Sequence, residues 1–223
     1  MQKLFNADIL DIFTTPSGFI YACKEVINGN EEVVAFFDYD RLNDKFKRIP
    51  VSKYIAAKYG EDGSAFARQL GDFVTCNIHV INDTTNIAAY DNGTVKVFDN
   101  NGIISKTVQV KYKNHAAVSP EPVGRDLWMA VPEANAVINY SLRYGRIEFR
   151  IGSNKEKTFS HPTGISAYDN CLYVCNASSF KIRIVGLETY NVSDYRIFNE
   201  PVYKYIRTKD CEYVMLQSGF YEL

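Results

Sequence analysis

Four carboxylates are the side chains of this chain with the clearest chemistry to offer. Asp8 and Asp11 share one short segment near the N-terminus, while Glu121 and Glu200 stand far along the chain. A carboxylate pair about 5–10 Å apart divides acid and base roles in glycoside hydrolysis. Three histidines, His79, His115 and His161, would hold a metal or relay protons if the fold converged them. No H-x-H or H-E-x-x-H spacing brings two of them together locally. A third group points to recognition instead of reaction. Lys53, Tyr54, Lys58, Tyr59, Phe66 and Arg68 interleave rings with cations, and Phe180 lies in a later loop. Tyrosine and arginine are favoured at protein–protein hot spots. The same rings, turned inward, would instead pack their segment onto the rest of the fold. Neither a phosphate-cradling glycine loop nor a G-x-S-x-G elbow is present, and no cofactor is implied.

The elements that must position these residues are short strands. HPTGISAYDNCLYVCNASSFKIRIVG (161–186) reads as strands at 163–167, 171–175 and 181–185, separated by turns at Asp169-Asn170 and at 176–179. A fourth, VSDYRIF, follows at 192–198. Degraded versions recur about every 40 residues, which is the period of a β-propeller blade. The units begin near residues 7, 75, 115, 163 and 202, and the last holds only three strands. Lys3-Leu4-Phe5 is a spare apolar piece ahead of the first unit. Pairing it with 219–223 would supply the missing strand and seal the ring. The expected fold is therefore all-β, a single domain over 1–223 forming a five-bladed β-propeller, with six blades as the alternative count. Residues 50–72 break the strand rhythm and read as a helical insertion after the first blade, with short helices at 52–58 and 64–70 capped by Ser52 and Ser64.

On this map the three histidines fall near the first strands of successive blades. Asp8 and Asp11 lie on the first strand of blade one, Glu121 follows that of blade three, and Glu200 precedes that of blade five. Cys171 and Cys175, four apart on one strand, face the same side at a separation of roughly 13 Å, so they read as core residues.

The segment 159–185 resembles an NHL-type propeller repeat. Pro162-Thr163-Gly164-Ile165, Leu172-Tyr173-Val174 and Lys181-Ile182-Arg183-Ile184 match that family's places, whereas Cys175-Asn176 stands where it usually has a short residue and Asp. The resemblance covers about one blade. It implies a propeller, a fold that mostly serves as a binding platform and in a minority of cases is a hydrolase or lactonase.

Bulk composition narrows the classes. The formal net charge is -1, which gives no electrostatic basis for a nucleic-acid partner. No run of 18 apolar residues exists to span a membrane. The N-terminus turns polar at once, and the five scattered cysteines read as free thiols, so the expectation is a cytoplasmic protein. The functional expectation is a non-catalytic binding or scaffold protein that presents a propeller face, through 50–72 and Phe180, to a protein partner. The alternative is a glycoside hydrolase or lactonase-like hydrolase with its site at the channel mouth, taking a glycan or another small molecule.

Overall fold

The computed structural model describes residues 1–6, 8–29, 31–69 and 71–223, with side chains of 61–66 and 68–69 outside that description. β1 (Gln2–Phe5) opens the chain. The first blade is β2 (Asp8–Thr15), β3 (Gly18–Ile27), β4 (Glu31–Asp40) and β5 (Lys45–Ile49), followed by α1 (Val51–Gln69). The second is β6 (Cys76–Asn82), β7 (Thr85–Tyr90), β8 (Thr94–Phe98) and β9 (Ile104–Gln109). A separate ribbon, β10 (Lys111–Tyr112) and β11 (His115–Ala116), comes next. The third blade is β12 (Val118–Val123), β13 (Asp126–Val131), β14 (Ala136–Ser141) and β15 (Arg146–Ile151). The fourth is β16 (Pro162–Tyr168), β17 (Cys171–Asn176), β18 (Lys181–Gly186) and β19 (Val192–Ile197). β20 (Val202–Arg207), β21 (Glu212–Leu216) and β22 (Gly219–Glu222) complete the count.

Each blade is a four-stranded antiparallel meander, and the fold is a five-bladed β-propeller. The last sheet runs β1-β22-β21-β20, so its fourth strand comes from the N-terminus as the sequence suggests. Lys3 pairs with Tyr221 and Phe5 with Phe220, whose rings stack at 5.3 Å. Six blades are ruled out as a count, because the extra strands β10 and β11 form only a two-stranded ribbon. The chain divides into two compact units, residues 1–5 with 79–223, and residues 6–78.

Within the larger unit, strand periodicity splits each blade between two cores. Leu127, Met129 and Val131 of β13 join the cluster with Ile87, Val95 and Ile138, whereas Trp128 and Ala130 join the one with Leu172, Val174 and Val185. β17 repeats the division, sending Tyr173 and Cys175 toward Val202, Tyr205 and Val214. Side chains alternate across a strand, so one apolar run feeds two interfaces. Cys171 and Cys175 both pack into the last cluster, as read from their spacing.

The first strands of the third and fourth blades meet side by side, and side chains satisfy the edge between them. Ile165 N–H donates to Ser119 Oγ at 3.0 Å, and Ala167 N–H to Glu121 Oε1 at 2.9 Å. The i, i+2 spacing on both sides is a side-chain ladder across a pair of edges that a sheet would otherwise leave unpaired. Contact is tighter still at Gly164, where an added Cβ would fall 2.3 Å from the Tyr203 carbonyl oxygen. Gly164→Ala is expected to cost about 1–3 kcal/mol, because backbone, not a flexible side chain, must yield. Chemical denaturation checks it, and an unchanged midpoint would show that β16 and β20 separate freely.

In the smaller unit α1 covers the first blade. Gly60 (φ 74°, ψ 171°) breaks it into two helical segments, as the sequence suggests. Ser52 is not the cap: the Pro50 carbonyl accepts from Lys53 and Tyr54 N–H, which places Ser52 inside the first turn. Ser64 lies outside the described side chains. Tyr54 and Ile55 pack with Ile20, Phe36, Ile49 and Val74.

Candidate binding site

Tyr54, Lys58 and Tyr59 do not join the exposed patch expected of them. Tyr54 is 0% exposed, wedged against Phe13 and Phe36, and its hydroxyl donates to Asp11 Oδ2 at 2.7 Å. Lys58 is equally enclosed, its Nζ 2.9 Å from Asp11 Oδ2 and 2.6 Å from the Val74 carbonyl oxygen. Tyr59 is half-buried, and its hydroxyl donates to the carbonyls of Phe73 and Cys76. These three side chains clamp α1 onto the blade. The correction has a plain cause: a two-segment helix over a strongly apolar sheet buries its rings, and the buried Asp11 requires a cation beside it. Lys53 stays exposed, paired with Asp38 at 2.8 Å, and Phe180 stays 38% exposed. Phe66 and Arg68 lie outside the described side chains.

Three of the four carboxylates are likewise occupied. Asp11 balances Lys58, and Glu200 accepts from Ser218 N–H and Oγ–H at 2.7 and 2.6 Å. Glu121 lies within β12, not after the strand, and holds Ala167 N–H. Asp8 is exposed on β2. The acid and base pair that glycoside hydrolysis requires is therefore not favoured by these positions. Glu121 is nonetheless unusual. Burial pushes its carboxyl up to about 7, against the opposing pull of Ala167 N–H and Lys204. His79 sits on β6, His115 on the exposed β10–β11 ribbon and His161 at the start of β16. His115 thus belongs to the ribbon, three residues ahead of the first strand of the third blade. No group of three His, Cys, Asp or Glu side chains suited to a metal forms among the described residues.

The feature that sequence reasoning missed is a cleft of about 470 Å³ where β15 meets β18 and β19. Phe149, Arg150 and Ile151 contribute from β15, Arg183 from β18, Val192 from β19, and Tyr190 from the turn between the last two. Gly152, Glu156, Lys157 and Thr158, from the connection to the fourth blade, form its wall. Phe149 and Tyr190 are 38% and 43% exposed with ring centroids 4.4 Å apart, and both lie within 6.3 Å of the buried Trp128 ring.

The wall is fixed from several sides. Asn135, in the left-handed region at φ 48°, accepts His161 N–H at 2.7 Å through Oδ1 and donates to Asn154 at 2.7 Å. Buried Asn176 accepts Ser160 N–H at 3.0 Å. Arg150 grips Glu156 through both terminal nitrogens, at 3.1–3.2 Å, and also donates to the Gly152 carbonyl. Arg183 donates to the Thr158 carbonyl and lies 3.1 Å from Asp194, whose carboxyl is held below the usual range chiefly by the hydrogen bond from Lys181. A small aromatic surface flanked by cations, on a rigid scaffold, is suited to recognition.

No protein-family model and no curated protein matches the chain. Among solved structures it is similar to Sqt1 of Saccharomyces cerevisiae, at 9% identity and TM-score 0.53 over 96% of this chain and 71% of that one. It is also similar to a streptogramin B lyase, at 12% and 0.51 over 95% and 63%. A virginiamycin B lyase from Staphylococcus aureus gives 11% and 0.51 over 95% and 64%. What they share is the β-propeller. At such identities the likeness is one of fold alone, and the chain spans less than two thirds of either lyase's length.

Proposed function

We propose that this propeller is a non-catalytic binding module for a protein partner, docking through the cleft beside Phe149 and Tyr190. One observation carries the reading: two solvent-facing rings, tilted against each other at 4.4 Å, stand among Arg150, Lys157 and Arg183 beside a wall that hydrogen bonds hold in place. Rigid aromatic anchors with arginine neighbours are what interface hot spots consist of. Pre-ordering of the wall lowers the entropy lost on docking. Three of the four carboxylates considered for hydrolysis, Asp11, Glu121 and Glu200, are tied into structural contacts, which also supports binding over turnover.

The test is affinity capture from native lysate with tagged wild type, Phe149→Ala/Tyr190→Ala, and Lys53→Glu. The double variant is expected to weaken capture by at least roughly 30-fold, the loss of one hot spot. Lys53→Glu, on the helix face, is expected to leave capture intact. The reverse pattern would move docking to α1, and a partner retained by all three proteins would sink the cleft as its site.

A further inference from the structure

We infer that the partner segment entering this cleft is acidic, an extended peptide placing an aspartate or glutamate carboxylate beside Lys157 and a neighbouring apolar or aromatic side chain on the Phe149–Tyr190 pair. This rests on the binding reading above and adds the chemistry of the occupant.

Charge is the first argument. Three cations line the cleft, Arg150, Lys157 and Arg183, against one carboxylate, Glu156. Asp194 balances Arg183 from outside the lining. Lys157 is different: it is exposed, and its ammonium has no ion-pair partner among the described residues. Its backbone is nevertheless set, since its N–H donates to the Ser153 carbonyl at 3.3 Å and φ is 56°. An exposed cation on a set backbone, in a cleft it shares with apolar rings, is suited to an incoming anion.

The second argument is that the chain already places a carboxylate here. Glu156 lies across Arg150 as a two-pronged pair, the geometry in which guanidinium reads carboxylate. Its side chain is 48% exposed, so the pair is open to exchange. Glu156 therefore acts as an internal stand-in that a partner carboxylate competes with. Removing it frees Arg150 without disturbing the rings. The size agrees, because about 470 Å³ accepts two or three side chains of an extended peptide.

The experiment uses the whole chain and its own reporter. Trp128 is the one tryptophan, with ring centroids 6.3 and 6.2 Å from Phe149 and Tyr190. Acetyl-Glu-Glu-Tyr-Glu-Glu-amide and its lysine counterpart are titrated while tryptophan emission is followed, with circular dichroism confirming that each variant is folded. The acidic peptide is expected to give a saturable change that salt weakens, and the lysine peptide none. Glu156→Ala is expected to tighten binding about 3- to 5-fold, the scale of an exposed ion pair. Lys157→Glu is expected to weaken it at least about 10-fold, as charge reversal at a docking cation does. Binding of the lysine peptide, indifference to Lys157→Glu, or no saturable change with any protein would overturn the inference. If that happens while Phe149→Ala/Tyr190→Ala still loses the captured partner, the binding reading stands and only the acidic occupant falls. Failure of both removes the cleft as a docking site.

Discussion

Asp11→Ala is expected to destabilise the unit spanning residues 6–78 by about 3–5 kcal/mol, the cost of leaving one member of a buried ion pair without its counter-charge. Both side chains are almost wholly enclosed, at 7% exposure for Asp11 and 5% for Lys58. Without the carboxylate, Lys58 keeps the Val74 and Phe73 carbonyls, at 2.6 and 3.4 Å, and the Tyr54 and Tyr59 rings, but no counter-charge among the described residues. Tyr54 loses its acceptor in the same step, and burial followed by the charge of Asp11 raises its pKa, so it stays a protonated donor. Denaturant unfolding followed by circular dichroism reads the effect. An Asp11→Leu/Lys58→Met double variant is expected to lose much less than the two single changes together, since it leaves no orphan charge. A loss below about 1 kcal/mol for Asp11→Ala would mean that water reaches the pair and that α1 is held by its apolar face alone.

That network also marks where the sequence was legible and where it was not. The fourth blade could be read almost residue by residue, because its strands alternate cleanly and Asp169-Asn170, both with positive φ, announce the hairpin. The N-terminal strand was legible from the three-stranded last unit. The first strand of the third blade was hidden by composition. VSPEPV carries two prolines, which argue against a ladder, yet β12 is an edge strand with only β13 beside it in its sheet, where proline is tolerated. Missing it displaced Glu121 and His115 from their true elements. Tyr54 and Tyr59 turn inward where exposure is the expectation, since an interleaved ring-and-cation pattern looks the same whether it faces solvent or a buried aspartate. The cleft was illegible for another reason: Phe149, Lys157, Arg183 and Tyr190 come from four stretches that only the packing of two blades brings together. Aromatic richness offered a signal without an address.

Glu121→Gln is expected to stabilise the protein by up to about 3 kcal/mol at pH 8 and to change little below pH 4.5, the unfolded carboxyl's own pKa. The folded carboxyl is raised to about 7 by burial, so between 4.5 and 7 the folded state holds more protons than the unfolded one. Stability therefore falls as pH rises through that window and levels off above 7. Glutamine keeps an oxygen for Ala167 N–H and carries no charge to bury. A pH series of unfolding midpoints should show the wild-type slope absent in the variant. Glu121→Ala separates the two roles of the side chain. It removes the same charge but also orphans the Ala167 donor, a loss of about 1–3 kcal/mol at every pH. The alanine protein should then lie below wild type and glutamine alike in acid and approach wild type near pH 8, where the glutamine protein stands above both. A glutamine variant less stable than wild type at pH 8 would reverse the assignment. The ionised carboxylate would then be favoured by Lys204 more than it is disfavoured by burial, and the ladder between the third and fourth blades would depend on its charge.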